Sequence, residues 1–152
     1  MDGDKQTENV SSKWRYWLLL AVESTGELII LWQGIPPYRR LVLGQAFEDG
    51  RLPTSFLVWL LTGATLIQIG YWANRPLEFE LHSRRYAVPG HFVAFFGRLN
   101  FIFLSGVFAT TFFVQFDVVN FSIFGTIIMS ATLFSVYCYT LELERLGRGL
   151  RT

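Results

Sequence analysis

The chain has 152 residues and a net charge of +1, with 51% hydrophobic and only 16% charged residues. Soluble domains carry about 25% charged residues, so a mean hydropathy of +0.34 places this chain in a bilayer, and its near-neutral balance excludes a basic field for nucleic acid. Its single cysteine, Cys138, excludes an intrachain disulfide.

Residues 1–12 are polar and include Asp2, Asp4 and Glu8. Those acids, and the lack of a small-residue cleavage site, argue against a presequence or a cleaved signal, so the segment reads as a flexible tail before a retained first helix. That helix is expected over about 13–34 (KWRYWLLLAVESTGELIILWQG). At a rise of about 1.5 Å per residue it covers a hydrocarbon core of about 30 Å. Trp14 and Trp17 stand at one end and Trp32 at the other, where interfacial aromatics belong. Near the middle lie Glu23 and Glu27, one turn apart on one face. Pro36 and Pro37 are expected to end the helix, since proline lacks an N–H and disfavours helix before it. Tyr38 to Phe47 then reads as a short interfacial helix or a polar loop, with Arg39 and Arg40 toward headgroups.

A second helix is expected over about 55–74, with Gln68 the strongly polar residue of its interior. Gly63, Ile67, Gly70 and Asn74 share one face, a stripe that lets a neighbour approach closely. The loop over 75–89 alternates Leu77, Phe79 and Leu81 with Glu78, Glu80 and His82, a half-buried strand pattern that could turn at Arg84 and Arg85 into a short hairpin ending near Val88. A third helix is expected over about 90–116. It holds nine phenylalanines between Phe92 and Phe116, with Arg98, Asn100 and the small residues around Gly106 among them. A short link, DVVN, leads to a fourth helix over about 118–147, where Ser122, Thr126 and Ser130 form a small polar stripe. Its far end continues into water with Glu144 and Arg148 in an i,i+4 pair.

The fold expectation is an all-α integral membrane protein: one domain over 13–148, four transmembrane helices in an antiparallel up-down bundle. The termini and the 75–89 loop carry most of the Lys and Arg, so the positive-inside rule puts both termini in the cytoplasm, in keeping with a bacterial inner membrane.

An acid at mid-bilayer costs a few kcal/mol and usually faces the bundle interior. Arg98 is the expected partner of Glu23, with Asn100 and Gln68 as neutral alternatives. A proton, cation or ligand site would be lined by Glu23, Glu27, Gln68, Arg98 and Asn100. Helix packing would run through Gly63, Gly70, Gly106, Ser122, Thr126 and Ser130, and partner docking through Leu77, Phe79, Leu81, Arg84, Arg85, Glu144 and Arg148. His82 and His91 fall in a loop and at a helix edge, which does not suit haem or a metal cluster, so no cofactor is expected. No nucleophile or acid–base dyad within reach of water points to an enzyme. The primary reading is a non-enzymatic membrane subunit that oligomerises or docks on a larger complex, as a sensor or anchor for a cytoplasmic partner. The alternative is a small oligomeric ion or proton channel or transporter that uses Glu23 and Glu27. The partners implied are membrane lipids and either further copies or another protein.

Overall fold

The computed structural model describes residues 3–44, 53–75, 87–110 and 123–150. Four helices account for nearly all of them: α1 (Gly3–Val42), α2 (Thr54–Asn74), α3 (Ala87–Ala109) and α4 (Ile123–Gly149). Each is long and apolar enough to cross a membrane, over Lys13–Arg40, Thr54–Asn74, Val88–Ala109 and Ile123–Gly149. The described residues are therefore all-helical, with the composition and helix lengths of a multi-pass membrane protein.

The first helix departs from the sequence expectation at both ends. Backbone that was expected as a tail over 1–12 is helical from Gly3, and Pro36 and Pro37 lie inside the helix instead of ending it. The prolines leave the carbonyls of Trp32 and Gln33 without their usual donors, yet two local features favour continuation. Tyr38 packs edge-on against Phe103 of α3 at 5.5 Å between centroids, and Arg39 and Arg40 sit in the last turn, where cations complement the helix dipole. The stop is Gly44, at φ 66, the left-handed position that glycine takes without strain just past a helix. A separate helix over Tyr38–Phe47 is thus replaced by the end of α1 up to Val42; positions 45–52 lie outside the described residues.

The second helix matches its expected span to within a residue. The third begins at Ala87, so the strand expected to end at Val88 is helical there. The rest of the 76–86 segment, the third helix beyond position 110, the DVVN link and the expected start of the fourth helix lie outside the described residues.

The packing follows small residues. A side chain at Gly26 would meet Gly63 O at 2.6 Å, and one at Gly63 would meet Gly26 O and Ile30 Cγ1 at 2.7 Å each. Backbones of α1 and α2 therefore touch at this crossing. Gly147 of α4 lies equally close to Gly90 of α3, and Gly97 of α3 packs on Leu143. In contrast, α3 scarcely touches α1 or α2 through its backbone and reaches them through long side chains. Gly106, expected at a helix contact, meets nothing within 4 Å. Of the expected α4 stripe, Ser130 is exposed, Thr126 half-buried and Ser122 outside the described residues; the buried face of α4 instead runs through Gly125, Ile128, Thr132, Ser135 and Val136.

Two apolar clusters result. Ile30, Leu60, Ile67, Ile128 and Val136 form one; Tyr16, Leu20 and Leu146 form the other. Along α1, the stretch between them carries Glu23 and Glu27.

Candidate functional site

Glu23 is fully buried and Glu27 is 4% exposed. Their positions follow from helical spacing: one turn apart, they lie on the same face of α1 as Tyr16, Leu20 and Ile30, which are buried too. The glycine contact between Gly26 and Gly63 pulls α2 against that face, and this sets Gly70 and Asn74 beside Glu23. A side chain at Gly70 would collide with the Glu23 stem.

Each carboxylate receives one amide donor. Asn74 Nδ2 donates to Glu23 Oε1 at 2.8 Å, and Asn100 Nδ2 donates to Glu27 Oε1 at 2.5 Å. Among the described residues the second oxygens, Glu23 Oε2 and Glu27 Oε2, have no hydrogen-bond partner, and neither has Asn74 Oδ1. Next to Glu23 in the chain, Ser24 shares a hydroxyl–hydroxyl hydrogen bond of 3.0 Å with Tyr139 of α4. A further buried acid, Glu142 of α4, is 3% exposed and takes a hydrogen bond from the Tyr16 hydroxyl. Glu142 Oε2 lies 3.7 Å from Arg145 Nη1, and Glu142 Oε1 has no hydrogen-bond partner.

Arg98 does not join this group. Its Nε donates to Glu144 Oε1 at 2.6 Å, on a side chain 68% exposed. The expected Glu23–Arg98 pair is therefore replaced by Glu23–Asn74 and Arg98–Glu144. The reason is geometric: Gly97 and Ala94 are buried against α4, so the next position, Arg98, points away from α1, while Glu144 stands one turn beyond Thr140, whose Oγ1 donates to Gly97 O. Among the described residues, neither Glu23 nor Glu27 takes part in a salt bridge.

Gln68 is half-buried and engaged at both ends. It accepts from Trp72 Nε1 at 2.9 Å and donates through Nε2 to Ser135 Oγ at 3.2 Å. It braces α2 against α4 and does not touch either acid. Of the five residues expected to line a site, the structure brings Glu27 and Asn100 together, sets Glu23 one turn away, and leaves Gln68 and Arg98 out. Asn74 and Glu142 are the residues that the expected set lacks. Asn74 was visible as the last member of the Gly63–Gly70 stripe, where a polar residue on a packing face signals a buried partner. Glu142 sits two residues before the solvated Glu144, in a stretch whose charge pattern reads as a helix leaving the membrane.

Of the docking residues expected, Leu77, Phe79, Leu81, Arg84 and Arg85 lie outside the described residues, as does His82. Glu144 is taken up by Arg98, and Arg148 is exposed. His91 is exposed as well, and no cluster of three or more His, Cys, Asp or Glu suited to a metal ion occurs among the described residues. Cys138 is a buried free thiol.

These features define a class: a membrane protein with four helical candidate spans and two carboxylates, Glu23 and Glu27, buried between helices. No family model, curated protein or solved structure matches the chain.

Proposed function

We propose that this chain binds protons or monovalent cations at its buried carboxylates and carries them across a membrane, with four antiparallel spans and both termini in the cytoplasm of a bacterial cell. One observation carries this reading: among the described residues, Glu23 Oε2 and Glu27 Oε2 are buried within apolar spans with no hydrogen-bond partner, and neither acid takes part in a salt bridge there. A buried carboxylate oxygen without a donor costs about 1–3 kcal/mol. A purely structural acid would gain by pairing with the arginine this chain places on α3, yet Arg98 faces outward. The Tyr16–Leu20–Leu146 cluster and the Ile30–Leu60–Ile128 cluster lie on either side of the acids along α1. That suits bound ions released by helix movement better than an open pore.

The test is flux in proteoliposomes with an imposed pH or sodium gradient. Wild-type protein is expected to carry protons or sodium, Glu23→Gln and Glu27→Gln to lose most of that flux, and Arg98→Gln to keep it. Flux no greater than in empty liposomes, or flux indifferent to both glutamate changes, overturns the reading.

A second reading, a non-enzymatic subunit that oligomerises or docks on a larger complex, draws on the sparse contact of α3 with α1 and α2. That gap leaves an apolar slot of about 60 Å³ lined by Ile30, Leu60, Leu104, Val136 and their neighbours from all four helices. Exposed small residues, Gly106 and Ser130, offer close approach to another helix. A stoichiometric partner recovered from membranes, together with absence of flux, favours it over the first.

A further inference from the structure

We infer that Glu23 and Asn74 together hold one proton: Glu23 is a neutral carboxylic acid whose O–H donates to Asn74 Oδ1, closing a ring of paired hydrogen bonds between α1 and α2. The site rests on the reading of the buried acids as ion-binding groups; it makes the proton the ion and Asn74 its holder.

Two side chains that touch each leave one oxygen orphaned. Asn74 Nδ2 donates to Glu23 Oε1 at 2.8 Å, and both side chains are fully buried. Among the described residues, Glu23 Oε2 and Asn74 Oδ1 are buried with no hydrogen-bond partner. Each orphan sits on the same planar group as one end of the 2.8 Å bond. While Glu23 is ionised both orphans are acceptors, and two acceptors cannot satisfy each other. One proton on Oε2 turns that oxygen into a donor, and Asn74 Oδ1 is the open acceptor on the group it already contacts. A carboxylate and a proton give a carboxylic acid, so nothing further has to be supplied. The one proton removes both unsatisfied oxygens and the buried charge together.

Packing favours a proton over a larger ion. Gly70 lies against the Glu23 stem so closely that even a methyl group there would collide, and Ile67 of the same helix is fully buried. A proton needs no space of its own. The pair at Glu27 differs: Asn100 donates to Glu27 Oε1, but Asn100 is only half-buried and its carbonyl oxygen is not a buried orphan, so no matched pair calls for a proton there. The other titratable or charged side chains on the helices packed against Glu23 are Tyr16 and Glu27 of α1, Arg75 at the end of α2, which stacks over Tyr71 and Trp72, and Cys138, Tyr139, Glu142 and Arg145 of α4. Loss of the proton would return both orphans at once. Its release therefore requires Glu23 and Asn74 to part, which ties it to the α1–α2 contact that Gly26 and Gly63 set.

Infrared spectroscopy of the purified full chain in liposomes at neutral pH tests this. A C=O stretching band of a protonated carboxyl is expected in the wild type, lost in Glu23→Gln and kept in Glu27→Gln and Glu142→Gln. Glu23→Gln rebuilds the ring with an amide N–H in the place of the proton, so it should fold. Asn74→Leu should move the band to higher frequency, because the carboxyl then loses its hydrogen bonds to the amide. Should Asn74→Leu fail to fold, Asn74→Ala removes the same groups without added bulk and is read in the same way. Sodium chloride should leave the band as choline chloride does. Loss of ionised-carboxylate bands in Glu23→Gln overturns the site, as does a band unmoved by the Asn74 change or one that sodium removes. An ionised Glu23 beside Glu23-dependent flux in proteoliposomes would overturn this site and leave the proposed function standing; the Glu23 band in a chain without flux would do the reverse.

Discussion

At the scale of single residues, the acids and their amides explain one another. Asn74 and Asn100 each spend a donor on one carboxylate oxygen and leave the other bare. This arrangement is costly for stability, because a buried acceptor without a donor costs about 1–3 kcal/mol. Glu23→Gln should therefore stabilise the fold by about 1–2 kcal/mol. The new amide can still accept from Asn74 Nδ2, and its own N–H₂ supplies a donor beside Asn74 Oδ1, which lacks one. A thermal melt in detergent without sodium measures this; a lower midpoint for Glu23→Gln would mean that the carboxylate already has a donor or cation. Arg98 makes the opposite case. Its bond to Glu144 lies on an exposed side chain, so Arg98→Ala should cost about 0–1 kcal/mol. A double-mutant cycle should find Arg98 coupled weakly to Glu144 and not at all to Glu23. Coupling to Glu23 would place Arg98 inside the bundle and remove the argument for uncompensated acids.

At the scale of helices, glycine decides where backbones touch. Gly26 and Gly63 form the α1–α2 crossing, and a methyl group on either would lie 2.6–2.7 Å from the other's carbonyl oxygen. Gly26→Ala and Gly63→Ala should each destabilise by about 1–3 kcal/mol through overpacking. Gly106→Ala, with nothing within 4 Å, should be neutral or stabilise by up to about 1 kcal/mol through helix propensity. Midpoints of the three variants, measured side by side, check the ordering; equal losses at Gly63 and Gly106 would show that the crossing is not where the packing energy lies. Gly63 was legible in the sequence because it repeats with Gly70 and Asn74 on one apolar helix. Gly26 was not, since it sits between two acids and breaks no pattern of its own. The spans themselves were legible because a long apolar run has few alternatives to a helix. Helix ends were less so: Pro36 and Pro37 look like a stop, and only the contact of Tyr38 with Phe103 and the left-handed Gly44 explain why α1 runs on. The partner of Glu23 was misread for a related reason. Charge sign suggests Arg98, but which way Arg98 faces depends on Gly97 and Ala94 packing against α4, and that comes from the tertiary fold.

At the scale of the whole molecule, side-chain contacts bear on the path of the chain. Glu23 meets Asn74 while Ile30 meets Gly63, so rising positions on α1 meet falling positions on α2. Gly147 meets Gly90 while Tyr137 packs on Phe101 at 5.5 Å between centroids, the same opposed register for α3 and α4. Ser135 meets Gln68, so the Glu23–Asn74 level of the bundle is shared by the later half of α4. Under the up-down reading these contacts put the arginines near both ends of the 75–87 segment on one side with residue 152, and residue 49 on the other. Cysteine labelling of intact cells tests this in a Cys138→Ala background, which removes the buried native thiol. Single cysteines at Ser83 and Thr152 should resist a membrane-impermeant reagent until the cells are opened, whereas one at Asp49 should react at once. Ser83 and Asp49 reacting alike would break the four-span path. All three positions reversed would keep the path and invert the protein, which would put the Glu142–Arg148 end of α4 on the outer face.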